Sequence, residues 1–150
     1  MTIYTKIGQD LITAMKAKDA VTIKTLRMLK SALGNIAIDK KVKVEDLTDA
    51  DIIVAIRKEI KKCQDSYEGF KLDNRDKSMS EEMDSINILN KYLPIKLTTD
   101  ELDKIITNAI AEVNATSKKQ MGQVMKVAIA KAEGRVSSQV LSGEIGKRLS

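Results

Sequence analysis

The chain offers few groups that could do chemistry. Glu81, Glu82 and Asp84 form a run of acids, and paired carboxylates can act as general acid and base or hold a divalent cation. On a helix Glu81 and Asp84 share a face. No second acidic helix at matching spacing supplies the other half of a site, so acids gathered at a helix N-terminus explain the run. Cys63 falls in the stripe of Ile56, Ile60 and Tyr67 and reads as a small buried hydrophobe, not a nucleophile. The chain has no His, which removes Ser-His and Cys-His nucleophile pairs, a His general base and His metal ligands. A single Cys gives neither a disulfide framework nor a Cys-based zinc site. Gly143-Glu144-Ile145-Gly146-Lys147-Arg148 has the outline of a GxxG nucleic-acid loop. It lacks the flanking strands of such a loop and reads as the fraying end of a terminal helix. It is not a phosphate-binding Walker loop either, because the upstream Gly and the Ser or Thr after Lys147 are absent. No catalytic residue, metal ligand or cofactor is expected.

Charge is the remaining chemical signal. The net charge is +5, and it is unevenly spread. Val113 to Ser150 holds seven basic residues against two acids, so the excess belongs to the last two helices. A basic surface of this kind suits a phosphate backbone, although a solvated face with lysines near helix C-termini gives the same composition. A second cluster, Lys16, Lys18, Lys24, Arg27 and Lys30, lies beside acid-rich neighbours and reads as a solvated face. Tyr4, Tyr67, Phe70 and Tyr92 are the only aromatics, too few for a protein that stacks single-stranded bases on aromatic platforms.

The elements that must position these groups are helices throughout. Apolar spacings of three and four recur, and sustained alternation is missing. A first helix spans about Thr2 to Lys16 with Ile3, Ile7, Leu11 and Met15 in one stripe. Asp19 caps a second, with Ile23, Leu26, Leu29, Leu33 and Ile36 inward. Lys40 to Asp46 reads as a charged loop, and Thr48 opens a third helix striped by Ile52, Ile56, Ile60, Cys63 and Tyr67. The segment Gly69 to Asn74 breaks that helix. A fourth places Met79, Met83, Ile86, Leu89 and Leu93 inward, and Pro94 forms a boundary. Thr98 with Glu101 and Ser117 with Gln120 read as capping boxes. They open a fifth helix (Leu102, Ile105, Ile106, Ala109, Ile110, Val113) and a sixth (Met121, Val124, Met125, Ala128, Ile129, Ala132). Gly134 caps the sixth, and Ser137 begins a last helix through Val140, Leu141, Ile145 and Leu149. The expected fold is all-α, with a four-helix N-terminal domain over 1–94 and a three-helix C-terminal domain over 95–150. No apolar run approaches the roughly 18 to 20 residues of a membrane span. The N-terminus MTIYTKIGQDL has no signal-peptide core, so a cytoplasmic location and no membrane partner are expected.

Tyr92-Leu93-Pro94, then Met121-Gly122-Gln123-Val124-Met125, then Gly134-Arg135 resembles the GatB/YqeY family, whose pattern runs YLP, DMGKVM and a GRADG-like turn. Lys16-Ala17-Lys18-Asp19 with Leu26-Arg27-Met28, Asp65-Ser66-Tyr67 and Asn74-Arg75 fit the same family in order and spacing. The likeness covers nearly the whole chain and is greatest to the free-standing YqeY-like proteins. Gln120, Gln123 and Lys126 depart from the family pattern, as does the turn Gly134 to Ser138, which loses its Asp and its last Gly. Met121, Gly122, Met125, Gly134 and Arg135 carry over directly. The resemblance implies two helical subdomains, the second shared with the tail of the B subunit of tRNA-dependent amidotransferases. Those enzymes convert misacylated Glu-tRNA or Asp-tRNA to the amide form. Free-standing relatives inherit a carbon–nitrogen ligase label with glutamine as amide donor, which the residues present do not support as an independent activity.

The resulting expectation is a non-catalytic module that binds tRNA or a tRNA-handling complex. Lys119, Lys126, Arg135, Lys147 and Arg148 would contact phosphates, and Gly122 and Gly134 would admit a closely approaching backbone. Two alternatives stand beside it: an accessory or regulatory subunit of an amidotransferase or aminoacyl-tRNA synthetase that binds protein through an apolar groove, and, more remotely, an amidotransferase in its own right.

Overall fold

The computed structural model describes residues 2–149, and among them the secondary structure is helical with no strand. Seven α-helices follow one another: α1 (Ile3–Ala17), α2 (Ala20–Lys40), α3 (Asp49–Leu72), α4 (Asp76–Asn90), α5 (Thr99–Val113), α6 (Met121–Ala132) and α7 (Ser138–Arg148). Short 3-10 turns at Val44–Asp46 and Lys118–Gln120 precede α3 and α6. The chain divides after Leu93 into two compact units, one holding α1 to α4 and the other α5 to α7.

The N-terminal unit is built on long helices. The Asp19 side chain accepts the Thr22 amide at 3.2 Å and its hydroxyl at 2.7 Å, fixing the start of α2. Thr48 and Asp51 form a reciprocal capping box at α3, and Lys40 reaches Asp51 at 2.6 Å. The core fills with Ile7, Leu26, Leu29, Leu33, Ile52, Ile56 and Leu89, all essentially fully buried. α3 and α4 pack along each other more extensively than any other pair.

Several helix stops differ from those read off the sequence. α3 runs through Gly69 to Leu72, and the reversal comes at Asn74, whose φ is 55°. Lys18, Lys41 and Asn114 are likewise left-handed caps, returning their amides to carbonyls three and four residues back. Closing these ends depends on hydrogen bonds back to the last carbonyls of the same helix, which offset the left-handed penalty of roughly 1–2 kcal/mol at a lysine. Met15, Met83 and Ile129, expected inside, are 49%, 41% and 47% exposed. Ala14 and Thr25 lie inside instead. Small residues let helices approach closely, and the larger apolar side chains beside them are turned outward.

The C-terminal unit is smaller and tighter. Ile106, Ala109, Val124, Ala128, Ala132, Leu141, Ile145 and Leu149 form its core. Thr98 and Glu101 make the expected capping box on α5. The second one is not formed: Ser117 makes no cap bond, and Gln120 accepts the Thr116 amide at 2.8 Å. A 3-10 turn intervenes, so α6 begins at Met121. α7 does not fray at Gly143 and Gly146 but continues to Arg148, capped by Ser137, which accepts the Val140 amide. Leu141, Ile145 and Leu149 anchor it at four-residue spacing.

Candidate nucleic-acid interface

The basic residues of the C-terminal unit fall into two groups. Arg135 sits in the turn after α6, reached through Glu133 (φ 51°) and Gly134 (φ 77°). Two successive left-handed residues swing the chain sharply, and Gly134 meets that geometry without a Cβ penalty. The Arg135 guanidinium donates to the Ile95 carbonyl at 2.7 Å and lies 3.1 Å from Glu101. The Arg135 carbonyl accepts the Leu97 amide at 3.3 Å. One residue thus ties the segment leading into α5 to the turn between α6 and α7. Arg148 does similar work at the other end, donating to Asp103 and, at 3.2 Å, to Thr107 on α5. Lys147 pairs with Glu144, and Lys131 with Glu112 at 3.3 Å.

Four of the seven cations between Val113 and Ser150 therefore pair with the unit's own acids. Lys118, Lys119 and Lys126 are exposed and make no ion pair or side-chain hydrogen bond among the described residues. Lys119 lies in the 3-10 turn that opens α6, not within α6 itself. Of the five residues expected to contact phosphate, Lys119 and Lys126 are free to do so. Arg135 and Arg148 act first as internal clamps, and Lys147 holds a surface pair worth little.

The family-pattern residues divide the same way. Met121 and Met125 are half-buried and pack on the core. Gly122 is exposed, with nothing within 4 Å of where a Cβ would stand. Beside it, the last turn of α5 and the outer side of α6 enclose an open groove of about 730 Å3. Its lining includes Val113, Val127 and Ala130, with Gln123 and Lys126 along one side.

The N-terminal unit has its own candidate chemistry. Cys63 is half-buried, and its thiol hydrogen bonds to Glu82. Burial first, then Glu82, pushes the thiol up to about 11, which leaves it inert near neutral pH. Around it lies a small cavity of about 80 Å3 lined by Glu59, Glu81, Glu82, Thr25 and Ser85 among others. Glu59 is buried and held by Lys62 at 3.2 Å, and Thr25 bonds Ser85 at 2.8 Å. Cys63 is thus set in polar surroundings, not in the purely apolar stripe that its neighbours suggested. The acids at Glu81 and Glu82 stand beyond the first turn of α4, where only Asp76 lies. Asp84 lines a different depression with Tyr67 and Met83, so the run does not converge. No group of acids and thiols among the described residues is arranged to hold a metal ion. Tyr92 is buried and donates to Asp10 at 2.5 Å, with Lys6 over its ring. Burial and that carboxylate raise its phenol. Tyr92 of the Tyr-Leu-Pro pattern is therefore a packing residue.

Among the described residues no helix is long and apolar enough to cross a membrane. The sequence is 25% identical over 144 residues to "Altered inheritance of mitochondria protein 41, mitochondrial" from Pyrenophora tritici-repentis (strain Pt-1C-BFP), spanning 93% of this chain and 77% of that protein. Residues 4–149 match the Yqey-like protein family, so a single family pattern accounts for both helical units, and the chain belongs to the Yqey-like proteins.

Proposed function

We propose that this Yqey-like protein is a non-catalytic helical module that binds tRNA, alone or with a tRNA-handling complex such as an amidotransferase, in the cytoplasm. The observation that carries the reading is the contrast within the C-terminal unit. Arg135 and Arg148 are tied into the unit, and Lys131 and Lys147 sit in exposed pairs. Lys118 and Lys119, in the turn that opens α6, and Lys126, in the second turn of α6, have no partner among the described residues. A cluster of unpaired lysines is what a phosphate backbone recognises. About three phosphate contacts, not five, then set the salt response: affinity falls roughly 20- to 40-fold between about 50 and 200 mM salt.

The test is fluorescence anisotropy with bulk tRNA, with duplex DNA as control. Wild-type protein is expected to prefer tRNA, and the double variant Lys119→Glu, Lys126→Glu to lose that binding with unchanged helical circular dichroism. Both side chains are exposed, so the fold is untouched by the exchange. Absence of wild-type binding at low salt overturns the reading. A second reading, a protein-binding accessory subunit, is favoured by apolar side chains that the N-terminal unit leaves outside, notably Ile38 at 74% and Leu72 at 85% exposed. Under that reading the lysine exchange leaves capture of the partner unchanged. Carbon–nitrogen ligase activity with glutamine as donor has no residue here to support it.

A further inference from the structure

We infer that the groove between the end of α5 and the outer side of α6 is a subsite for one unstacked nucleotide of the bound RNA, an inference that rests on the RNA-binding reading above. The groove is shallow and open to solvent, about 730 Å3, so it can receive one face of a base without enclosing it. The floor is aliphatic, formed by Val113, Val127 and Ala130, and a base excluded from its stack rests on apolar side chains as well as on aromatic ones. Gln123 presents an amide with both donors and an acceptor at the side, which suits the edge of a base. Lys131 compensates Glu112 at the far end, 3.3 Å away, so the lining carries one uncompensated charge, that of Lys126. One apolar floor, one amide and one ammonium match the base, edge and phosphate of a single nucleotide. An amphipathic helix, which anchors at i, i+3, i+4 and i+7, would need a longer apolar strip than these three side chains offer. The lysines that hold the backbone, Lys118 and Lys119, precede the same helix, so a nucleotide leaving the duplex there passes directly to the groove.

The few aromatics argue against stacking along a strand, and the groove changes that only for one position. Recognition then combines duplex backbone with a single displaced base, as at a bulge or loop.

The experiment compares a blunt RNA duplex of about 20 base pairs with the same duplex carrying a one-nucleotide bulge. Wild-type protein is expected to bind the bulged duplex about tenfold more tightly. Ala130→Trp, at an exposed position, fills the groove and is expected to remove that preference while leaving affinity for the blunt duplex unchanged. Gln123→Ala, which adds no bulk, is expected to reduce the preference severalfold and guards against misfolding of the tryptophan variant. Equal binding of both duplexes by wild type, or an unchanged preference in both variants, overturns the inference and leaves the RNA reading standing. No binding of either duplex or of tRNA at low salt overturns both. An acidic amphipathic peptide that occupies the groove, with no discrimination between the duplexes, overturns it in favour of a protein partner.

Discussion

The two units of this protein solve the same problem with different means. The N-terminal unit buries volume: Leu26, Leu29, Leu33, Ile52 and Ile56 are at 0% exposure, carried on helices of 21 and 24 residues. The C-terminal unit has helices of 15, 12 and 11 residues and a core in which Ala109, Ala128 and Ala132 bring backbones together. So small a unit gains modestly from burial. It adds charged clamps at its ends, Arg135 on Ile95 and Glu101, and Arg148 on Asp103 and Thr107. The lesson is that the basic excess of this region is partly structural. Counting cations by composition overstates the unpaired charge, because four of the seven cations from Val113 onward pair with acids of the same unit.

The largest expected effects come from the cores. Leu29→Ala removes a fully buried side chain and is expected to cost about 2–5 kcal/mol, and Ile106→Ala a similar amount. That loss is a larger share of the smaller unit's stability. In a urea titration followed residue by residue by NMR, Ile106→Ala is therefore expected to lose the amide signals of α5 to α7 first, while those of α1 to α4 persist. Leu29→Ala is expected to remain folded at low urea. Simultaneous loss of both sets in each variant would break the contrast.

Arg135 sharpens it further. Arg135→Ala is expected to lower the stability of the C-terminal unit by about 1–2 kcal/mol, because the Ile95 carbonyl and the Glu101 carboxylate lose a charged donor. Arg135→Lys is expected to recover little, since an ammonium cannot hold both partners with the planar fork of arginine. Lys119→Glu is expected to leave the urea midpoint unchanged. An Arg135→Ala variant as stable as wild type, with weakened tRNA binding, would move Arg135 back among the phosphate contacts.

The smallest effect is a pH dependence. Hydrogen bonds from Thr98, then the Arg135 cation, hold the Glu101 carboxyl below its ordinary 4.5. The ionised form is favoured by folding, so this contribution is present above that value and lost as pH falls through the lowered folded pKa. Glu101→Gln is expected to be less stable than wild type near about pH 7, with the difference shrinking as pH falls below 4.5, as read by thermal melts across pH. A constant difference at all pH values would show that Glu101 acts through packing and not through its charge.

The sequence by itself determined the helical class, the order of seven helices and most of both cores, Met15, Met83 and Ile129 being turned outward instead, because three- and four-residue apolar spacing is local information. Caps at Asp19 and Thr98 were legible for the same reason, since the side chain and its backbone target lie three residues apart. The tertiary structure decided what long-range contacts control. Gly69 sits within α3, and the turn comes at Asn74, where α4 folds back on α3. Ser117 makes no cap because the Gln120 amide donates to the Ser117 carbonyl in a 3-10 turn, and the Gln120 side chain accepts from Thr116. Most of the candidate site was written in the run of lysines and arginines, but which of them are free was not. Arg135 meets Ile95 across 40 residues, and Arg148 meets Asp103 across 45, and a cation's availability depends on the carboxylates and carbonyls that folding brings within reach.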